Sequence, residues 1–344
     1  MYYSLRLLLT IIAGAFGGTL FYFLSLPLPW MLGSMCTVAA LAFGGGAVVS
    51  VRRIRPPLAA IIGVTLGSSF SPEIAGRVFD WFPLTIAAVV STVLVGSFGT
   101  LYLRKVAGFD TVTSFFSAMP AGVYEMTYQG GLMGGDERRI ALVHAVRIFL
   151  VVLMVPVAFR WFFDLGAARP GGNGQGHGAI GVEDAIILAC CAIFGWLGAR
   201  KIHLPNPAML GPMLASAVVH GAGLTETAPP YALVGLAQIF LGASVGGQFI
   251  GASVADLRRT SAHGLVLVPI SLSICVVVAG ITAKTIDLDF QTILLSLAPG
   301  GTVEMSLIAL ALQTEVTAVV SHQVLRVLLI HSLAPMVFRL IERS

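Results

Sequence analysis

Apolar residues fill the chain in runs of about twenty, the length that carries a helix across the roughly 30 Å hydrocarbon core of a bilayer. Such runs fall near residues 4–25, 30–50, 57–76, 82–103 and 140–161, and again near 184–200, 207–224, 231–254, 262–283 and 318–339. Two further apolar segments, 109–134 and 288–313, lie between the fourth and fifth run of each group. Both are interrupted by a proline, small residues and a glutamate, in "SAMPAGVYEM" (117–126) and "SLAPGGTVEM" (296–305). The stretch between the groups, "GAARPGGNGQGHGAIGVED" (166–184), is polar and glycine-rich and reads as a flexible loop. The pattern predicts an all-α polytopic membrane protein with a first membrane repeat over 1–164, an inter-repeat loop over 165–183 and a second membrane repeat over 184–344.

The two groups are copies of one another. "LPLPWMLGSM" (26–35) answers "LPNPAMLGPM" (204–213), which aligns Pro27, Pro29 and Gly33 with Pro205, Pro207 and Gly211. "LGSSF" (66–70) answers "LGASV" (241–245). Pro120, Gly122, Glu125 and Met126 align with Pro299, Gly301, Glu304 and Met305, and Arg147 aligns with Arg326, all at an offset of 179. Matches in the same order along both halves mark an internal duplication.

In these motifs the chain resembles the AbrB family of bacterial integral membrane proteins, named for a duplicated membrane domain and unrelated to the soluble DNA-binding regulators of the same name. The resemblance covers essentially the whole chain, and its most specific stretches are "AMPAGVYEM" and "APGGTVEM". Members are often labelled ammonia monooxygenase or regulator of gene expression, and they look related to secondary transporters built from inverted repeats. The resemblance implies a multi-pass protein of the bacterial inner membrane and assigns no functional residue.

Lys and Arg positions test how the two copies are oriented, because these residues accumulate on the cytoplasmic side. With a cytoplasmic N-terminus and five crossings per half, fourteen fall inside, four (Arg77, Arg160, Arg169 and Lys284) fall outside, and Arg147 and Arg326 lie within spans. Six crossings per half change the score to eleven against seven. Five crossings invert the second copy and leave both termini cytoplasmic. Asp110–Pro120 and Gly122–Gly134 contain 11 and 13 residues, or roughly 16–20 Å of helix, about halfway into the membrane. Each extra segment is therefore expected to form a re-entrant helical hairpin; a helix broken at the proline that crosses fully is the alternative.

Broken backbone at membrane depth survives only inside protein or beside a water-filled cavity. Pro120 and Pro299 interrupt their helices, while Ala121, Gly122, Gly300 and Gly301 allow close approach of a backbone or ligand. Two half-helices from opposed repeats would direct their N-termini at a common midplane point suited to an anionic group. Glu125 and Glu304, in the first turn after each break, are expected either to bind a coupling proton, a cation or a polar substrate group, or to cap the half-helix. Arg147 and Arg326 need a carboxylate, backbone carbonyls or an anionic ligand, with Glu125 and Glu304 as candidate partners, or else they snorkel to the interface. His144 and His322 stand three and four residues before them. Asn206, between the prolines of the second copy only, is a candidate hydrogen-bonding group. Gly14, Gly17 and Gly18 in "GAFGG" form a small-residue seam that hints at a homodimer.

Hydrophobic residues make up 57% of the 344 and charged residues 10%, against roughly 25% charged in soluble domains. The net charge of +4 comes from short basic clusters between apolar runs, which mark topology and give no nucleic-acid surface. Cys36, Cys190, Cys191 and Cys275 lie in apolar runs without metal-site spacing and are read as packing residues. The seven histidines form no i, i+3 or i+4 pair with a carboxylate within a span, and no Walker motif appears. The expectation is a secondary transporter of a small solute, an organic anion or metabolite, with proton or cation coupling, no cofactor and no catalytic or metal site. Its partners would be the solute and membrane lipid. A membrane-bound enzyme resembling an ammonia monooxygenase, and a membrane regulator acting indirectly on gene expression, are the alternatives.

Overall fold

The computed structural model describes residues 2–26, 28–46, 48–51, 54–70, 78–162 and 181–343. Pro27, Arg52, Arg53, Arg77, Arg169 and nearly all of the 165–183 loop lie outside the described residues. The described chain is helical. Its first half contains α1 (Tyr2–Phe23), α2 (Pro29–Phe43), α3 (Arg55–Gly67), α4 (Phe82–Lys105), α5 (Thr111–Ala118), α6 (Val123–Leu132) and α7 (Glu137–Phe162). The second half repeats the order with α8 (Val182–Lys201), α9 (Pro207–Gly221), α10 (Tyr231–Gly246), α11 (Val254–Thr282), α12 (Phe290–Leu297), α13 (Thr302–Leu312) and α14 (Val316–Arg343).

Among the described residues seven helices are long and apolar enough to cross a membrane: α1, α4, α7, α8, α10 (extended by a 3-10 turn to Phe249), α11 and α14. Three of the ten expected spans form shorter helices, with 15 residues in α2, 13 in α3 and 15 in α9. Glycine sets two of these ends. Gly45 (φ 70°) and Gly223 (φ 70°) adopt the left-handed conformation that closes α2 and α9, and Gly46 and Leu224 then donate back to Leu41 and Val219. Outward faces of the long helices carry apolar side chains, among them Phe16, Ile86, Val93, Phe194 and Val277, as lipid contact requires.

Matching helices begin and end by matching devices. Asp110 and Asp289 cap α5 and α12 by accepting from the amides of Thr113 and Thr292, each at 2.8 Å. Desolvation raises the Asp110 pKa, but the hydrogen bonds from Thr113 and the neighbouring amides outweigh it and hold the carboxyl below its ordinary value. Pro29 and Pro207 open α2 and α9, where the missing amide hydrogen costs nothing. The left-handed position after α6 is Gly134 (φ 87°), and its counterpart after α13 is Gln313 (φ 56°), an exposed side chain. Gln313→Gly is expected to relieve this strain and to stabilise the protein by about 0.5–1 kcal/mol. The check is a higher unfolding temperature of the purified protein, with Gly134→Ala moving it down.

The helices sort into two compact units, each drawn from both halves. The first holds α1–α3 and α8–α10 and is built on close glycine contacts. A Cβ at Gly63 of α3 would overlap the carbonyl of Met209 in α9, and one at Gly242 of α10 would overlap the carbonyl of Met31 in α2. These contacts are reciprocal: α3 meets α9 as α10 meets α2. Gly14, Gly17 and Gly18 are packed against Ser34, Gly33 and Trp30 of α2. The seam expected for a dimer is thus consumed inside the chain, as a small-residue face admits whichever helix is adjacent.

The second unit holds α4–α6, most of α7, α11, α12 and most of α13 and α14. At one end Arg138 pairs with Asp256 at 3.6 Å, Arg259 donates to the carbonyl of Ala107 at 3.0 Å, and Arg139 lies over the Phe109 ring. There the ends of the broken segment meet again, since the Asp136 amide donates to Thr113 Oγ1 at 2.9 Å. Phe115 and Phe116 of α5 and Met126 of α6 pack together with Ile140, Ile330 and Phe338. Cys275 is buried in this unit, whereas Cys190 of the first unit is exposed.

Candidate functional site

Both predicted breaks occur, and at equivalent residues. Helix α5 stops because Met119 precedes proline and is forced into extended backbone (φ −61°, ψ 125°); α12 stops likewise at Ala298 (φ −58°, ψ 134°). Pro120 and Pro299 are buried, with Ala121, Gly122, Gly300 and Gly301 half-buried behind them. Each break leaves the last carbonyls of one short helix and the first amides of the next without intrahelical partners. Groups of opposite charge lie at the two ends, guanidiniums at the carbonyls and carboxylates beside the amides.

The carbonyl ends are held by the arginines, which are only 4% and 3% exposed. Arg147 Nη1 donates to Met119 O at 3.0 Å and to Ala118 O at 3.4 Å, and Nη2 donates to His144 Nδ1 at 2.8 Å. Arg326 Nη1 donates to Ala298 O at 2.8 Å and Leu297 O at 3.1 Å, while Nη2 donates to Gly300 O at 3.3 Å and to Gln323 Oε1. Of the partners open to them from the sequence, backbone carbonyls are the ones these hydrogen bonds reach. A helix C-terminus carries partial negative charge, so a guanidinium there is favourable as well as geometrically required. The two guanidiniums also lie within electrostatic range of each other.

The amide ends are faced by the glutamates. Gly122 caps α6 and Glu125 stands at its third position; Gly301 and Glu304 repeat this at α13. A Cβ on either glycine would overlap Oε2 of its glutamate, so each carboxylate folds back over the helix start. Glycine is needed here to make room for the carboxylate and not for its own backbone, since Gly122 has φ −63°. Glu304 is 5% exposed and Glu125 is half-buried. Gly301→Ala is expected to displace the Glu304 carboxylate and to act only through it. In a double-mutant cycle on unfolding temperature, Gly301→Ala should cost about 1 kcal/mol in the parent and close to nothing in Glu304→Ala.

Ten of the eleven expected site residues therefore gather at the two breaks in the second unit. Asn206 belongs to the first unit. It is exposed, with φ 47°, and its carbonyl receives the Met209 and Leu210 amides at 3.0 and 3.1 Å. It makes the backbone turn ahead of Pro207, and Leu28 (φ 46°) makes the same turn in the first half.

The histidine near each arginine bonds to it in the first half and not in the second. His322 binds Ala318 O at 2.8 Å and Thr85 Oγ1 at 3.1 Å, and it does not touch Arg326. The residue that supports Arg326 is Gln323, which sequence reasoning missed. The signal was available, because adding the offset of 179 to position 144 gives 323. Around these groups several buried polar atoms have no hydrogen-bond partner among the described residues: Nε of both arginines, Oγ of Ser114 and Ser117 in α5, and Oγ1 of Thr127 in α6.

Residues 30–342 match the family described as transition state regulatory protein AbrB. The chain is 25% identical over 350 residues to "Uncharacterized protein YhjN" of Bacillus subtilis (strain 168), covering 95% of this chain and 91% of that one. It is 22% identical over 317 residues to "Putative regulator AbrB" of Escherichia coli (strain K12), covering 92% and 91% respectively. With its seven apolar membrane-length helices and a family match running almost from end to end, the chain belongs to the AbrB family of helical membrane proteins.

Proposed function

We propose that the protein is a secondary transporter of a small anionic solute, with its site at the two helix breaks and with Glu125 and Glu304 as the place of proton or cation coupling. The observation that carries this is a pair of deeply buried arginines at two equivalent interruptions, each with an Nε donor that lacks a partner among the described residues, and in the first interrupted segment the hydroxyls of Ser114, Ser117 and Thr127 lack one too. Buried polar groups in native proteins are nearly always paired. A polar ligand that comes and goes is the natural partner for a group of this kind at membrane depth.

The broken segments act as re-entrant hairpins in this proposal. With 8 residues in α5 and 10 in α6, the arms are about 12 and 15 Å long at 1.5 Å per residue. The bond between Thr113 and Asp136 supports a segment that returns to the side it left. Five crossings per half then make the copies inverted, in keeping with the Lys and Arg distribution, and place both termini in the cytoplasm of a cell whose inner membrane holds the protein. The reciprocal packing of α3 on α9 and α10 on α2 suits the same arrangement.

The regulatory name of the Escherichia coli relative fits a transporter that alters gene expression through the solute it moves. The test is uptake by proteoliposomes, screened with a panel of small carboxylates and inorganic anions by solid-supported-membrane electrophysiology. Saturable charge movement with at least one anion, lost in Glu304→Gln, supports the proposal. Stoichiometric copper or iron in the purified protein, with no response to any panel member, would overturn it in favour of a membrane oxygenase.

A further inference from the structure

The two arginines are held by different residues in the two halves. In the first, His144 lies three positions before Arg147; in the second, Gln323 lies three before Arg326. Both side chains do the same two things. Each accepts from Nη2 of its arginine, His144 through Nδ1 and Gln323 through Oε1. Each also reaches a carbonyl near the end of the short helix: His144 Nε2 to Phe116 O at 2.9 Å, and Gln323 Nε2 to Leu295 O at 2.7 Å. Phe116 and Leu295 are themselves equivalent at the offset of 179.

Donor and acceptor rules fix the state of the imidazole. A guanidinium nitrogen only donates, so His144 Nδ1 must carry a lone pair. A carbonyl oxygen only accepts, so Nε2 must carry the hydrogen. An imidazolium would set an N–H of Nδ1 against an N–H of Arg147, and the opposite tautomer would fail at both ends. Gln323 has the same order of groups, acceptor toward the arginine and donor toward the helix, and an amide has no titratable proton to exchange.

We infer that His144 and Gln323 are paired positioning residues: His144 is held as the neutral Nε2–H tautomer and serves as a hydrogen-bonding spacer with no part in proton movement. Together with the carbonyls they occupy most of each guanidinium. Arg326 uses both donors of Nη1 and both of Nη2, which leaves the single donor of Nε. The arginines are thus fixed to the breaks and turned so that Nε remains for a ligand. Coupling protons, if transport is proton-driven, belong to Glu125 and Glu304. The inference stands whether or not the protein transports anything, because its readouts are the imidazole itself and the stability of the fold.

The test uses the full-length protein in lipid, labelled with nitrogen-15 histidine, with His144→Gln supplying the assignment by difference. The expected His144 signal is one pyrrole-type and one pyridine-type nitrogen, the hydrogen being on Nε2; an imidazolium or an Nδ1–H signal would overturn the inference. In parallel, His144→Gln should unfold within about 2 °C of the parent, while His144→Ala, which orphans Phe116 O and one arginine donor, should unfold on the order of 5 °C lower. A glutamine variant as unstable as the alanine variant would also overturn it, since the second half already uses glutamine in this place.

Discussion

Arg326→Met is expected to lower the unfolding temperature of the purified protein by about 10 °C, the largest effect on stability of any single change at the site. The substitution keeps an apolar stem of similar length and removes the guanidinium donors to Leu297 O, Ala298 O, Gly300 O and Gln323 Oε1. Leu297 O and Ala298 O keep Cys275 Sγ and Gln323 Nε2 as donors, so Gly300 O and Gln323 Oε1 are the acceptors left orphaned. An orphaned buried acceptor costs about 1–3 kcal/mol, and relief from burying a cation offsets part of the sum. A net loss of about 3–5 kcal/mol remains, which at roughly 2–4 °C per kcal/mol gives the predicted shift. Arg326→Lys should fall between the two, because an ammonium keeps the charge but cannot present four donors in a plane. Arg147→Met should cost less than Arg326→Met, since the guanidinium of Arg147 makes three hydrogen bonds where that of Arg326 makes four. Thermal unfolding followed by tryptophan fluorescence would measure the series. Equal stability of Arg326→Met and the parent would show that the break needs no staple.

For activity the largest expected effect is at the glutamates. Glu304→Gln and Glu125→Gln should each reduce solute uptake about tenfold or more, or uncouple it from the ion gradient, while the protein still folds and can be extracted. Loss of one negative charge at a helix start costs only about 1 kcal/mol, too little to unfold the chain. Glutamine keeps the size of the side chain and its acceptor oxygen, so capping survives while the ionisable group is lost. Uptake at parental rates in both variants would leave the carboxylates with a capping role alone. The half-buried Glu125 and the buried Glu304 give the pair unequal access to solvent, and the two variants need not fail in the same way.

The breaks were legible in the sequence because their causes are local. A proline takes its predecessor out of the helix whatever surrounds it, so Met119 and Ala298 are extended as expected. Aspartate before a short apolar run is a start signal of the same local kind, and Asp110 and Asp289 act on the next turn of their own chain. Partner choice was not legible. Arg147 could be read as facing a carboxylate, a carbonyl or lipid headgroups, and the sequence distance of 28 residues to Met119 carried no information about which. His322 is a buried histidine satisfied by Ala318 O and Thr85, while Gln323, uncharged and ordinary, does for Arg326 the work that His144 does for Arg147.

The order of residues alone determined that the chain is a helical membrane protein, that its halves are copies, and where two helices must be interrupted. These follow from hydrophobic run length, from repetition at a constant offset and from the backbone chemistry of proline, none of which needs a folded neighbour. Tertiary structure alone decided that the glycine seam of α1 is filled by α2, that helices from both halves mix in each of two units, and that the arginines bind carbonyls. The physical reason is that a buried donor takes whichever acceptor packing brings within about 3 Å, and that choice is made between segments far apart along the chain.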